Sequence, residues 1–132
     1  MYLLDTNTVI YIMKGQYEKL TKRIFSHQPS DFAISSITLF ELEYGAAKSK
    51  WGDKTREKLA MFLSPFTILP FDSEDASCAG QIRGYLSQQG LVIEPYDYQI
   101  AGQGLAKNMT VITHNTGEFS RVPGLKIEDW TI

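Results

Sequence analysis

Four carboxylates and one amide stand where short apolar runs of this 132-residue chain give way to helix-forming segments. Asp5 ends the run Tyr2 to Leu4, Glu41 falls in the first turns of the helix expected after Phe32 to Ile34, Asp97 follows Pro95, and Asn115 and Glu118 follow Val111 to Thr113. Taken singly, each has an ordinary explanation. Asp5 and Asp97 would cap helices, Glu41 would face solvent, and Asn115 and Glu118 would be turn residues. Taken together they demand more, because carboxylates converging on one end of a sheet repel by several kcal/mol per close pair at an effective dielectric of about 20. A cation must balance them. The chain has one cysteine, Cys78, and two histidines, His27 and His114, with neither a CxxC nor an HExxH pattern. The ligand set is therefore nearly all oxygen, which suits Mg²⁺ or Mn²⁺ rather than zinc or copper. Hard cations on carboxylates serve phosphoryl chemistry: they acidify an attacking water and clamp a phosphodiester, and no protein nucleophile is needed.

The elements that would position these groups follow from the hydrophobic pattern. Strand-length runs rich in β-branched and aromatic residues lie at Tyr2 to Leu4, Phe32 to Ile34, Phe66 to Leu69 and Val111 to Thr113. Between them, helical spacing is clearest from Glu74 to Gln89, with Ala76, Ala79, Ile82 and Leu86 on one face, Ser73 or Asp72 as cap and Gly90 after the end. Thr38 to Ala47, with Ser36 as cap, and Asp53 to Leu63 read as further helices, as do Thr8 to Lys14 and Tyr17 to Ser26. Tyr96 to Lys107 is helical despite Gly102 and Gly104. Each glycine costs about 1 kcal/mol there relative to alanine, so close approach of another backbone is expected. Alternating short strands and helices predict an α/β fold: a central parallel sheet with helices on both faces in right-handed crossovers. In such sheets functional groups collect beyond the carboxyl ends of the strands, where the five oxygen-bearing residues fall.

Composition narrows the class. No internal repeat or linker-like segment divides the chain, so a single domain over residues 1–132 is expected. No apolar run approaches the roughly 20 residues that span a bilayer, and Asp5 comes too early for a secretory signal, which points to a cytoplasmic protein without a membrane partner. The lone cysteine excludes a disulfide scaffold. A net charge of −2 argues against coating nucleic acid by bulk positive charge, although two divalent cations would reverse its sign.

The order and spacing of four blocks then carry a resemblance. Leu3-Leu4-Asp5-Thr6-Asn7, Ser35-Ser36-Ile37-Thr38-Leu39-Phe40-Glu41-Leu42, Pro95-Tyr96-Asp97 and Val111-Ile112-Thr113-His114-Asn115-Thr116-Gly117-Glu118-Phe119 resemble a PIN-domain ribonuclease. The tail Arg121-Val122-Pro123-Gly124-Leu125-Lys126-Ile127-Glu128-Asp129-Trp130 resembles the VapC toxins of bacterial toxin-antitoxin pairs. The resemblance implies a Mg²⁺-dependent endoribonuclease cutting structured RNA, tRNA first and ribosomal RNA as the alternative, that inhibits translation, is neutralised by a cognate antitoxin and forms a homodimer. It assigns Asp5, Glu41 and Asp97 to the acidic metal ligands and Glu118 to a fourth acidic position. Asn115 stands at a place held by Asp or Asn, where it offers an amide oxygen without charge. Thr6 matches a hydroxyl that orients the site, with Asn7 and Thr113 in support.

Other residues carry weaker signals. His114 and its neighbours Thr113 and Asn115 would point to opposite faces of a strand, which favours a structural role for the histidine. Glu43, about 200° around a helix from Glu41, cannot share its metal. Lys48, Lys50, Lys54, Arg56 and Lys58 concentrate against only Asp53 and Glu57, with Trp51 among them. They form either a solvated helix face or a track for an RNA backbone with a stacking ring; Arg83 and Arg121 are further phosphate candidates. Two other functions fit parts of the pattern. The opening Asp5-Thr6-Asn7-Thr8-Val9 is similar to that of haloacid-dehalogenase-type phosphohydrolases, but Asn7 stands where their acidic proton donor is needed. A non-catalytic interaction module would use the same carboxylates for folding or for a partner.

Overall fold

The computed structural model describes residues 1–132. In chain order the elements are β1 (Tyr2–Leu4), α1 (Thr6–Lys14), α2 (Glu18–Phe25), β2 (Phe32–Ser35), α3 (Ser36–Ala47), α4 (Gly52–Leu63), β3 (Thr67–Leu69), α5 (Ser73–Gln88), α6 (Pro95–Ala106), β4 (Thr110–Ile112), α7 (Thr116–Phe119) and β5 (Ile127–Glu128). A 3-10 turn at Pro29–Asp31 leads into β2. The five strands form one wholly parallel sheet in the order β3-β2-β1-β4-β5.

The central strands are apolar at consecutive positions because both faces of the sheet are covered. Leu3, in register with Ala33 and Val111, packs into a core with Ile82 and Leu86 of α5, Ile100 and Ala101 of α6 and Phe119 of α7. Leu4, in register with Ile34 and Ile112, faces the other way, onto Val9 and Ile12 of α1, Leu20 and Ile24 of α2, Leu59 and Leu63 of α4, and Trp130. Side-chain alternation along three residues thus divides one apolar run between two cores and produces the three layers.

Several local expectations shift. The cap of α3 is Ser35, whose hydroxyl accepts from the Ile37 amide, because β2 continues one pair further to Leu69 and the chain turns there. Ser36 instead accepts from the Phe71 amide at 3.0 Å. In α5 Ala76 is exposed and Asp75 is buried in its place. Asp75 completes a capping box with Asp72, accepts from Gln103 Nε2 at 2.9 Å and lies 3.1 Å from Lys107 Nζ, so α5 and α6 are joined by polar bonds inside an apolar layer. The glycine expectation holds. A Cβ on Gly102 would come within 2.6 Å of the Ala79 amide nitrogen, so α5 and α6 can pack this closely only without it. Strand β5 is too short to show alternation and was not foreseen; it forms because Val111 and Thr113 donate to Lys126 and Glu128. Trp130 then closes the tail, buried, with its Nε1 donating to Glu128 and the Arg23 guanidinium over its ring.

Candidate active site

The polar groups predicted from sequence come together beyond the carboxyl ends of β1, β2 and β4. Asp5 directly follows β1 and continues its ladder, its amide donating to Ile112 at 3.2 Å. Its carboxylate also caps α1, accepting from the Thr8 amide at 2.9 Å. The cap explanation and the site explanation therefore apply to the same residue. Burial to 3 % exposure pushes the carboxyl pKa up, against the hydrogen bonds from Thr113 and Thr8, and the Asp129 charge adds to the rise.

Glu41 projects from α3, half-buried, and is held by the Thr6 hydroxyl at 2.7 Å. Thr38 Oγ1 lies 3.0 Å from the same Thr6 oxygen. Burial raises the Glu41 pKa, and Glu94 and Asp5 raise it further while Thr6 opposes them. Asp97, in the first turn of α6, is raised to about 8 by burial, then by its hydrogen bond to Glu118 and the charges of Asp5, Glu94 and Glu118. Asn115 ties the far side together. Its Nδ2 donates to Glu118 Oε2 at 2.7 Å and approaches Asp97 Oδ2 at 3.4 Å, while its backbone amide donates to Thr113 Oγ1 at 2.9 Å. In this arrangement the Asn115 nitrogen faces the carboxylates and draws two of them toward each other.

The acids form an open arc. No three acidic, histidine or cysteine side chains close into a ready-made metal cage. Two members escaped sequence reasoning. Glu94, the cap of α6, whose side chain accepts from the Tyr96 amide, adds its charge to Glu41 and Asp97. Asp129, beyond β5, adds its charge to Asp5. Pro95, which suits the first position of a helix, is the signal that could have placed Glu94 at a helix start, whereas nothing local in the sequence brings Asp129 to the end of β1.

Asn7 differs from expectation: it is exposed and makes no side-chain hydrogen bond to the acids, so it does not brace the site. It lines a groove of about 490 Å³ that runs from Thr6 and Glu41 past Phe40 and Tyr44 to Lys48. Lys48 lies over the Tyr44 ring, and Lys50 and Lys54 over the exposed Trp51 ring, so the basic corner between α3 and α4 is continuous with the acidic arc. Arg56 is paired with Glu43 at 3.2 Å, which turns Glu43 away from Glu41. Arg83 lies over the Tyr98 ring of α6, and Arg121 donates to the Val92 carbonyl at 2.8 Å. His114 lies with Nδ1 2.9 Å from Asp129 Oδ2.

A three-layer α/β/α domain with acids at the carboxyl edge of its parallel sheet is the architecture of a PIN domain, and residues 2–125 match the family model so described. The tRNA(fMet)-specific endonuclease VapC of Salmonella typhimurium is 41% identical over 129 residues, 98% of this chain and 97% of the relative. The crystal structure of DNA-bound VapBC from Salmonella typhimurium contains a chain that superposes with a TM-score of 0.91 at 40% identity, covering 98% of this chain and 97% of that one. VapBC2 from Rickettsia felis, bound to a DNA fragment from its promoter, gives a TM-score of 0.89 at 35% identity, covering 98% of both chains. The chain belongs to the PIN-domain family and, within it, to the VapC ribonucleases.

Proposed function

We propose that this chain is a divalent-metal-dependent endoribonuclease toxin that hydrolyses phosphodiester bonds in tRNA and is neutralised by a cognate antitoxin. The observation that carries the reading is the convergence of Asp5, Glu41, Asp97 and Glu118, from four separate parts of the chain, on the edge where α/β folds place their chemistry. The relatives' names supply the substrate class, and the VapBC complexes among the structural neighbours supply the kind of partner.

The residues fit a hard cation. All the donors are oxygens, and a carboxyl pushed up to about 8 by burial and neighbouring acids is one that bound positive charge would restore to its ionised form. Asp5, Glu41 and Asp97 would hold Mg²⁺ or Mn²⁺, with Glu118 beside them and Asn115 positioning both Asp97 and Glu118. Such an ion supplies positive charge that acidifies water and steadies the developing charge on the phosphodiester. Thr6 orients Glu41 and opposes the burial that favours its protonated form, and Thr113 does the same for Asp5. The groove past Phe40 and Tyr44 to Lys48 gives an RNA backbone a path away from the acids, with Lys50, Trp51 and Lys54 beyond it. An antitoxin that presents a basic side chain to this arc would occupy the place of the cation and close the site.

The deciding assay is cleavage of an initiator tRNA transcript with Mg²⁺ or Mn²⁺, with end-group analysis. Hydrolysis by water leaves a 5′-phosphate and a 3′-hydroxyl. Cyclic phosphate ends, or cleavage undiminished in excess EDTA, would overturn the mechanism.

A further inference from the structure

Beyond the ends of β4 and β5, at the margin of the acidic arc, three rings gather that the proposed chemistry does not use. Tyr11 comes from α1, Tyr17 from the turn before α2 and His114 from the segment between β4 and α7. The Tyr11 and Tyr17 centroids are 5.0 Å apart at 71°, and those of Tyr17 and His114 are 5.3 Å apart at 46°. Tyr11 and His114 complete the triangle at 6.4 Å.

The group is built rather than incidental. Tyr17 holds φ at +59°, in the left-handed region that a side chain carrying a Cβ rarely adopts, two residues after Gly15 at +70°. These two left-handed residues fold the chain back so that the Tyr17 ring lands on Tyr11. Backbone strain of this kind persists where surrounding structure imposes it, and it concentrates at binding sites. His114 is fixed from behind, with Nδ1 2.9 Å from Asp129 Oδ2 and 3.0 Å from Thr131 Oγ1. Burial works against the Asp129 charge, but the donors of Thr131 and His114 outweigh it and hold the carboxyl below its usual range. With Nδ1 facing the Asp129 carboxylate, Nε2 is the ring's remaining hydrogen-bonding atom. Despite this anchoring the rings stay open to solvent: Tyr17 is 41% exposed and the His114 side chain 43%.

Position connects the rings to the chemistry. His114 is bound at 2.9 Å to Asp129, whose charge acts on Asp5, and Tyr11 stands on α1, the helix that Asp5 caps. We propose that Tyr17, backed by Tyr11 and His114, is a stacking subsite for one unpaired nucleobase of the RNA substrate, adjoining the phosphate that is cut. The inference rests on the ribonuclease reading and adds to it the way the substrate is held. RNA-binding proteins take unpaired bases on tyrosine and histidine rings and read their edges with side-chain hydrogen-bonding atoms. Stacking supplies affinity without positive charge.

The test compares Tyr17→Gly, Tyr17→Trp and the parent with an initiator tRNA transcript. Tyr17→Gly removes the ring but suits the left-handed backbone, so its melting temperature should stay near the parent's. Its KM should rise roughly 5- to 150-fold, the range of one lost base stack, with kcat within about twofold. Tyr17→Trp should restore KM. Fluorescence polarisation with labelled transcript, in an Asp97→Asn background, reads binding without cleavage and should show the same order. Equal affinity of Tyr17→Gly and the parent background would overturn the subsite, as would weakened antitoxin binding with RNA parameters unchanged. A parent that binds in a Tyr17-dependent way but never cuts would instead overturn the nuclease reading alone.

Discussion

The Thr6 hydroxyl donates a 2.7 Å hydrogen bond to Glu41 Oε1, joining the first residue of α1 to the second turn of α3. The bond opposes the burial that pushes Glu41 toward its protonated form. Thr6→Val should therefore raise the Mg²⁺ concentration needed for half-maximal cleavage by about 10-fold or more, as for lost partners of metal ligands. Thr6→Ser should behave as the parent, and a metal titration of cleavage rate checks both.

Asp97 has a carboxyl raised from 3.8 to about 8, so between those values the folded chain binds a proton that the unfolded chain has released. Its contribution to stability is complete below about pH 4 and falls away as pH rises toward 8. Asp97→Asn has no such charge to desolvate. In EDTA the variant should melt above the parent at pH 8, by about 1 kcal/mol after allowance for solvent screening, or roughly 3–6 °C. The gap should narrow toward pH 4, while cleavage with Mg²⁺ should fall at least about 100-fold at every pH. Thermal melts across this pH range decide it.

Asp5 has two duties that two substitutions separate. Asp5→Asn keeps a side-chain acceptor for the Thr8 amide and should fold as stably as the parent while losing cleavage. Asp5→Ala should lose cleavage and also about 1 kcal/mol of stability with the cap. Equal melting temperatures for the two variants would show that the cap contributes nothing.

Gly102→Ala tests the fold alone. The added methyl would meet backbone and Cβ atoms of Ala79 within 2.7 Å, and neither helix can yield without disturbing the Asp75, Gln103 and Lys107 bonds between them. A cost of about 1–3 kcal/mol is expected from urea unfolding. Gly84→Ala, where an added Cβ meets nothing within 4 Å, should be neutral or stabilising.

Much of this molecule is local and was readable in the chain. Tyr2 to Leu4 is a strand because three apolar residues are bounded by a capping aspartate, and Gly90, at φ +71°, follows α5 where helix-stop chemistry puts it. The acids could be listed from their places after the strands and near helix starts. Helix phase was less legible: Asp75 is inward and Ala76 outward because Gln103 and Lys107, about thirty residues away, supply its partners.

By itself, then, the sequence determined the alternation of strands and helices and the oxygen-only character of the site, since both follow from residue type and near-neighbour spacing. Tertiary structure alone decided that Glu94 and Asp129 act on the acids, that Asn115 offers its nitrogen to Asp97 and Glu118, and that Tyr17 folds back beside His114. Those relationships depend on through-space electrostatics and on the register of a sheet whose strands are only two to four residues long. Neither leaves a periodic trace along the chain.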